Sequence, residues 1–242
     1  MSHCAIVSEK KSMPLVANYL QPMLNLNEVK NNPQVSEFIK QTEKSLKASG
    51  YTEHGLNHAE LVSGRARKIA KEIGLSEKEQ ELSAISGFCH DMGSFISRSH
   101  HHYFGAMLFH QIFQNQFSPS EVSIIMRAIS MHDRDEMDFA NPVSAILILA
   151  DKSDVRRSRV MVRKIDKIKA DIHDRVNFAT TFSSLSVDEK KKQIILTLKI
   201  DADFVPVMEY FEIFTERMVY CREAAKFLGY HFGLIINNFK LL

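Results

Sequence analysis

The chain contains 242 residues, of which 45% are hydrophobic, so it is long and apolar enough to bury a sizeable core. Its 31 basic and 29 acidic residues leave a net charge of +2, which excludes the strong global field typical of nucleic-acid or anionic-membrane binders. Three widely spaced cysteines, and apolar runs far shorter than the roughly 20 residues of a membrane span, predict a cytoplasmic protein without disulfides or membrane contact.

Helix signals cover most of the first 170 residues. Terminating glycines, prolines at first helical positions and capping boxes such as Ser76 with Glu79 separate the periodic apolar stretches. Six helices are predicted: from Asn32-Pro33 to Gly50, from Asn57 to Gly74, from Ser76 to Gly93, from about residue 102 to 116, from Ser118-Pro119 to His132, and from Asn141-Pro142 to about 170. This region is therefore predicted to be all-helical.

The residue pattern changes after Asp171. Two β-rich runs, VNFATTFSSLSV and KKQIILTLKID, are separated by a charged turn and predict a hairpin; a helical pattern at about 203–228 and the apolar stretch YHFGLIINN follow. We predict a helical domain at 1–170, with its core at about 35–165, and a small α+β C-terminal domain at 171–242. Strand edges in this domain favour a homodimer or, alternatively, a lid over the functional site.

Histidines are concentrated in the helical region, where eight of the eleven lie between residues 54 and 132. The dipeptide His-Asp occurs three times, and the first, His90-Asp91, ends a strongly apolar helix, in LSAISGFCHDMG. His58, four residues before Val62, and His132, at the end of an apolar stripe, are also predicted to face inward. The sequence thus directs several imidazoles toward the interior.

Two carboxylates in apolar surroundings need a positive partner. Asp151 lies in AILILADKSD, where a bare carboxylate would cost several kcal/mol of desolvation. His90 and Asp91 differ by about 100° in direction around their helix, so both can reach one ion beside its end. The negative end of the helix dipole favours the same cation. Imidazoles and carboxylates together predict a divalent metal site.

The order of these motifs resembles the HD-domain superfamily of metal-dependent phosphohydrolases. The matching segments are HGLNHAELV, FCHDMG, HHYFGAML, ISMH and LADKSD, within about residues 35–165. The resemblance implies a mainly α fold, an HD-domain helical bundle, here with a small C-terminal α+β appendage. It implies the ligands His58, His90, Asp91 and Asp151 for one metal and His101 and His132 for a second, with Asp91 bridging the two.

The choice between His101 and His102 is left open by periodicity, because both lie on apolar stripes. The HxxxG pattern of the family, in which the glycine corresponds to Gly105, selects His101. The remaining histidines of this region, His54, His100 and His110, are predicted to be surface or supporting groups. The other two His-Asp doublets, with Asp133 in an exposed acidic segment and His173-Asp174 at the domain junction, are assigned no chemical role.

One position departs from the family pattern. Many two-metal members carry a lysine directly after the HD-x-G segment, where it can hold a phosphate oxygen, and here that position is Ser94. We expect Lys152 and Arg156 to bind the substrate instead. Both are predicted to lie on a basic helical stripe that begins beside Asp151 and continues to Arg159 and Arg163.

These features predict a phosphohydrolase that cleaves a phosphoester, of a nucleotide or a related small molecule, with hydroxide generated by one or two divalent ions. Asp91 and His90 are the expected catalytic residues, and manganese, iron, magnesium, nickel or cobalt the expected metals. A cyclic-di-GMP substrate is disfavoured because no Gly-Tyr-Pro segment follows His132. Two alternatives are an HD-type di-iron oxygenase and a non-catalytic binding module stabilised by metal. A nucleic-acid partner is not expected.

Overall fold

Helices make up most of the chain, and a small sheet forms near its C-terminal end. The computed structural model describes residues 24–134 and 137–242, so that Cys4 and part of the acidic segment after Asp133 lie outside the described residues. The helices are α1 (Leu26–Lys30), α2 (Pro33–Ala48), α3 (Leu56–Glu72), α4 (Glu77–Cys89), α5 (His101–Phe113), α6 (Pro119–Met131), α7 (Pro142–Lys152), α8 (Ile165–Ala170), α9 (Ile172–Ala179) and α10 (Met208–Phe227). The strands are β1 (Thr180–Asp188), β2 (Gln193–Ile200), β3 (His231–Ile236) and β4 (Phe239–Lys240). The predicted mainly α fold with a small α+β C-terminal part is confirmed.

The predicted capping residues start several helices of the bundle. The Asn32 side chain accepts hydrogen bonds from two backbone N–H groups in the first turn of α2. Reciprocal capping boxes start α4, with Ser76 and Glu79, and α6, with Ser118 and Glu121. These local interactions determine where each helix begins and therefore which of its residues face the core.

Helix α3 starts at Leu56, earlier than the predicted start at Asn57. The Glu53 carboxylate accepts hydrogen bonds from the backbone N–H groups of Gly55, at 2.8 Å, and of His58, at 3.3 Å. A buried acidic side chain from the preceding loop thus caps the helix, which Asn57 was expected to do. The same cap places His58 in the first turn of α3, facing the interior.

The helix predicted from Asn141 to about residue 170 is too long, because α7 ends at Lys152. A single 3-10 turn, Arg157–Arg159, and an extended stretch follow before α8 begins. The reason is a set of buried polar contacts in which the Arg159 guanidinium donates to the backbone carbonyls of Glu53 and Asp154. Lys152, Arg156, Arg159 and Arg163 therefore do not share one helical stripe.

The C-terminal sheet has the strand order β1-β2-β3-β4. Strands β1 and β2 form the predicted antiparallel hairpin, whereas β2 and β3 are parallel and are connected through α10. The stretch VNFA, predicted as part of the first strand, instead forms the end of α9. Strand β3 comes from YHFGLIINN and pairs antiparallel with the short β4.

The sheet and the helical bundle share a continuous hydrophobic core. Helix α10 packs against α7, and β1 contacts α3. The Arg65 guanidinium of α3 donates to the hydroxyls of Ser153 and Ser183, each at 3.0 Å, and so ties β1 to the end of α7. In the part of the chain that the structure describes, the helices are all too short or too polar to cross a membrane.

The start of α5 is held against the segment after α4 by a close backbone approach at two glycines. A Cβ atom at Gly93 would overlap the backbone N of Gly105 and the carbonyl O of His101, far inside van der Waals contact. A Cβ at Gly105 would lie 3.0 Å from the carbonyl O of His90. Both glycines therefore allow the two histidine-bearing segments to meet.

We predict that Gly93→Ala lowers the free energy of unfolding by about 2 to 3 kcal/mol, because backbone atoms must move to admit the methyl group. Urea denaturation monitored by circular dichroism measures this change. Gly64→Ala is the matched control, since Gly64 lies in α3 with open space around its Cβ position. The control is expected to be neutral or to gain up to about 1 kcal/mol of helix propensity. Equal stability of the two variants would contradict the close approach.

Candidate metal centre

Four imidazoles and two carboxylates from five helical segments meet in the interior. Each of these six side chains is buried. His58 lies on α3, His90 and Asp91 directly follow α4, His101 starts α5, His132 directly follows α6, and Asp151 lies on α7. The structure thus brings together all six residues for which a metal-ligand role is predicted.

The Asp91 carboxylate lies between two pairs of imidazoles. Its Oδ2 is 3.5 Å from Nε2 of His58 and 3.3 Å from Nε2 of His90. Its Oδ1 is 3.1 Å from Nε2 of His101 and 3.6 Å from Nε2 of His132. Each carboxylate oxygen therefore faces a different pair of rings, the arrangement needed for one carboxylate to bridge two ions.

Asp151 belongs to the side of the centre formed by His58 and His90. Its Oδ1 is 3.3 Å from Nε2 of His58 and 3.6 Å from Nε2 of His90. Its Oδ2 is 3.1 Å from the ammonium Nζ of Lys152. One side of the centre thus offers two imidazoles and two carboxylates, and the other offers two imidazoles and Asp91.

The tautomer of each imidazole follows from its Nδ1 partner. Three of the four rings donate from Nδ1 to a backbone carbonyl three residues earlier: His90 to Gly87 at 2.8 Å, His101 to Arg98 at 2.8 Å, and His132 to Ile129 at 2.7 Å. His58 donates from Nδ1 to Oδ2 of Asp154 at 2.7 Å. Because these oxygens only accept, each Nδ1 carries the proton, and in the neutral ring Nε2 presents a lone pair.

The Nε2 lone pairs face one another in two pairs, and this arrangement shows whether the residues fit a metal ion. Nε2 of His58 lies 3.2 Å from Nε2 of His90, and Nε2 of His101 lies 3.0 Å from Nε2 of His132. Two neutral acceptors at this distance repel each other unless a cation lies beside them. Imidazole nitrogens and carboxylate oxygens are the ligands that divalent first-row metals take in proteins. The residues present therefore fit one or two such ions.

The electrostatics of the protein alone also favour positive charge here. Burial lowers the pKa of His90, but Asp91 and Asp151 outweigh it and raise that pKa to about 10. Burial raises the pKa of Asp91, yet the neighbouring imidazoles hold it well below the ordinary value. His132 differs, because burial and the other imidazoles lower its pKa to about 4. Ionised carboxylates thus require cations, which are protons when no metal is bound.

Asp154 holds the His58 ring, a contact that sequence reasoning missed. Its buried carboxylate accepts from Nδ1 of His58 and from Nε of Arg156, the latter at 2.8 Å. Burial raises its pKa, but Arg159 and His58 outweigh this and lower it. The signal in LADKSD was a second aspartate three residues after Asp151, hidden because the helix was predicted to continue.

Arg156, predicted to bind substrate, lies away from the cavity at the metal centre. Its guanidinium is held by Asp154, by Oε2 of Glu53 at 3.3 Å and by the hydroxyl of Ser158. Arg156 therefore holds Asp154, the carboxylate that accepts the hydrogen bond from His58. Lys152, predicted for the same role, does line the cavity.

Asp133, assigned no role from the sequence, lies at the edge of the centre. Its Oδ1 is 2.7 Å from Nζ of Lys152, and its Oδ2 is 3.7 Å from Nε2 of His101. Both residues of the His132-Asp133 doublet therefore lie at the metal centre. Of the adjacent pair His101 and His102, His101 faces Asp91, while the buried His102 ring has no hydrogen-bond partner for Nδ1 among the described residues.

Four further residues reach the cavity at the metal centre. His54, Arg98, Arg159 and Arg217 line it together with four of the six proposed ligands, Asp91, His101, His132 and Asp151. Arg98 lies between α4 and α5, and Arg217 belongs to α10. Of the other histidines, His100 and His173 are exposed and His110 is half-buried. Sequence periodicity gave no signal for Arg217, because its position depends on how α10 packs on α7.

Comparison with known proteins agrees with this geometry. The family model "HD domain" matches residues 55–175, which is half of the chain. The chain belongs to the HD domain family. HD domains bind divalent metals, and the buried His/Asp cluster lies within the matched residues.

Two known proteins show similarity to parts of this chain. The uncharacterized protein MJ1020 of Methanocaldococcus jannaschii is 24% identical over 214 residues, covering 78% of this chain and 81% of its own. A crystal structure described as a predicted HD superfamily hydrolase, from an uncultured Thermotogales bacterium, is 20% identical. That match covers 55% of this chain and 75% of the other, with a TM-score of 0.39.

We predict that Asp154→Asn weakens metal binding about 10- to 100-fold, because the charge that holds the His58 ring is lost. Titration of the metal-free protein with Mn²⁺ in competition with a chelator measures the affinity. Asp138→Asn is the matched control, since this exposed carboxylate pairs only with Arg127 among the described residues. If both variants bind Mn²⁺ as tightly as the parent, Asp154 does not position His58.

Proposed function

We propose that this HD protein is a metal-dependent phosphohydrolase that cleaves a phosphoester of a nucleotide or a related small molecule. The observation that carries the proposal is the Asp91 carboxylate, whose two oxygens face separate pairs of imidazole Nε2 atoms. Two ions held in this way would be manganese, iron, magnesium, nickel or cobalt. His58, His90, Asp91 and Asp151 would hold one ion, and Asp91, His101 and His132 the other.

The chain's residues then have separate tasks. Divalent ions at this site would supply hydroxide near neutral pH and stabilise negative charge on the phosphoryl oxygens. Asp91 would be the ligand common to both metal positions, because each of its oxygens faces one pair of imidazoles. His90 holds its Nε2 in place through the Nδ1 hydrogen bond to Gly87. We therefore assign Asp91 and His90 to the catalytic centre.

Of the two basic residues predicted to bind substrate, Lys152 is the one placed to contact the phosphate, because it lines the cavity at the metal centre. Burial lowers its pKa, but Asp151 and Asp133 outweigh this and raise it, so the side chain is an ammonium. Its Nζ lies between those two carboxylates at the wall of the cavity. Ser94, which occupies the usual lysine position, is buried and its hydroxyl has no partner among the described residues. We infer that the Lys152 ammonium, on α7, provides the positive charge that a lysine at position 94 provides in many two-metal family members.

We predict that Asp91→Ala abolishes phosphate release, lowering kcat/KM by at least about 1,000-fold, or roughly 4 kcal/mol of transition-state stabilisation. The assay is a panel of phosphomonoesters, phosphodiesters and nucleotides with each of the five metals. Phosphate release that survives in Asp91→Ala would remove this site from consideration. Oxygen uptake by an iron-coloured protein without phosphate release would instead indicate a di-iron oxygenase.

A neighbouring pair of variants tests the second ion. His101→Ala is expected to lose one equivalent of bound metal and most of the turnover, because Nε2 of His101 faces Asp91. His102→Ala removes an equally buried ring one residue away and is expected to keep both ions and the activity. Metal content measured by mass spectrometry after gel filtration distinguishes the two. Equal metal content in both variants would contradict the assignment of His101.

A further inference from the structure

A second, larger cavity adjoins the metal centre. The cavity at the metal centre has a volume of about 20 Å³, enough for about one water. The neighbouring cavity has a volume of about 370 Å³, which falls in the range of small-molecule sites, roughly 300 to 1,000 Å³. His54, Arg98 and Arg217 line both cavities. These three residues therefore form the border between the metal centre and a space large enough for the body of a substrate.

The two arginines at this border differ from the other cations of the site. Lys152 is paired with Asp133 and Asp151, and Arg159 with Asp154. In the described ranges, by contrast, Arg98 and Arg217 have no carboxylate within ion-pairing distance. Their guanidinium groups contact rings instead of anions.

These ring contacts leave donors of both arginines available. Nη1 of Arg98 lies 3.2 Å from both ring nitrogens of His101, and its guanidinium lies 5.8 Å from the centre of the Tyr51 ring. The Arg217 guanidinium lies 4.9 Å from the centre of the Phe214 ring. Burial lowers the pKa of Arg217, and the carboxylate of Asp151 offsets this only in part. Two guanidinium groups thus border the centre without an anionic partner among the described residues.

Charge balance indicates what that partner is. Three carboxylates line the metal cavity, and Lys152 already neutralises part of their charge. With divalent ions bound, unpaired guanidinium groups beside them would be repelled unless an anion lay between. A phosphoryl group carries about −1.5 to −2 charges, and its oxygens match the planar fork of arginine in bidentate hydrogen bonds.

The remaining wall of the larger cavity is polar. Hydroxyl groups come from Ser49, Tyr51 and Thr52, and carboxylates from Asp171 and Asp174. The backbone N–H of Asp174 donates to Oδ1 of Asp171 at 3.0 Å, which fixes the two relative to each other in the first turn of α9. Carboxylates and hydroxyls in a cavity of this size suit a hydroxylated molecule, because sugar hydroxyls donate to them.

We infer that Arg98 and Arg217 clamp the phosphoryl group of the substrate at the metal centre, and that the adjoining cavity holds its sugar. The substrate is then a sugar phosphate, either free or as the ribose phosphate of a mononucleotide. This inference rests on the proposed phosphohydrolase function. It makes α10 part of the active site, although Arg217 lies outside residues 55–175, the part matched by the HD domain model.

The clamp is tested first without turnover. Inorganic phosphate is titrated into the Mn²⁺-loaded full chain by calorimetry, for the parent, Arg98→Gln and Arg217→Gln. Each variant is expected to weaken the Kd for phosphate at least about 10-fold, the loss of one charge-assisted contact of about 1.4 kcal/mol. Arg222→Gln, on the same helix but exposed and beside Glu223, is the matched control and is expected to keep the parent affinity. Arg217→Lys should give an intermediate value, because it restores charge without the fork.

The sugar cavity is tested with substrates of graded size. Ribose 5-phosphate, glucose 6-phosphate, adenosine monophosphate and phenyl phosphate are compared in kcat/KM with the parent and Asp174→Asn. The variant is expected to raise KM for the sugar-bearing substrates and to leave the Kd for inorganic phosphate unchanged. Ribose 5-phosphate accepted as well as the mononucleotide indicates a sugar phosphate, and strong preference for the mononucleotide indicates that the base is also bound. Preference for phenyl phosphate would overturn the sugar assignment.

The outcomes separate the clamp from the hydrolase. Unchanged phosphate affinity in both glutamine variants, with turnover and bound Mn²⁺ intact, overturns the clamp and leaves the hydrolase standing. Arginine-dependent phosphate binding in a parent that hydrolyses none of the esters supports the clamp and overturns the hydrolase. If Arg217→Gln does not fold, Arg217→Lys replaces it, provided that its stability matches that of the parent. Parent-like phosphate affinity in both Arg217→Lys and Arg98→Gln then overturns the clamp.

Discussion

The fixed orientation of four imidazole rings is the constraint on which the centre depends. Each ring is held through its Nδ1–H, so that each Nε2 faces the Asp91 carboxylate. For His90 and His132 the acceptor is a carbonyl in the last turn of the preceding helix, where carbonyls lack the N–H partner that a longer helix would supply. The same hydrogen bond therefore gives a carbonyl at the helix end a donor and orients the imidazole ring. The centre needs these helix ends to meet, and the Gly93–Gly105 approach lets two of them do so.

This local origin explains how much of the site could be predicted from the sequence. Capping boxes, prolines and glycines locate the helix ends, and three of the four imidazoles are oriented by carbonyls only three residues away. Asp91 and Asp151 were predictable for a different reason, since a carboxylate in an apolar run must find a cation. The predicted helices and the β1–β2 hairpin thus follow from residues close in sequence, whereas the full set of six predicted ligands came from the resemblance to the HD-domain superfamily.

The parts that sequence reasoning missed depend on contacts between distant segments. His58 is the exception among the rings, because its acceptor, Asp154, lies 96 residues further along the chain. The end of α7 was mislocated for the same reason: residues beyond it are fixed by the loop before α3, where Arg159 donates to the carbonyl of Glu53. Arg217 reaches the border of the centre only through the packing of α10 on α7. The periodicity of apolar residues along the chain carries no information about contacts between segments that are distant in sequence.

The buried charges around Asp154 explain why α7 stops where it does. Glu53, Asp154, Arg156 and Arg159 are wholly or largely removed from water, and burying any one alone would cost several kcal/mol. Together they pair with one another and with His58, which offsets that cost only if all are present in one geometry. A continued helix would carry Arg156 and Arg159 away from Glu53 and break the set. The chain therefore leaves the helix after Lys152. The Arg156 guanidinium then reaches Asp154, the carboxylate that holds the His58 ring.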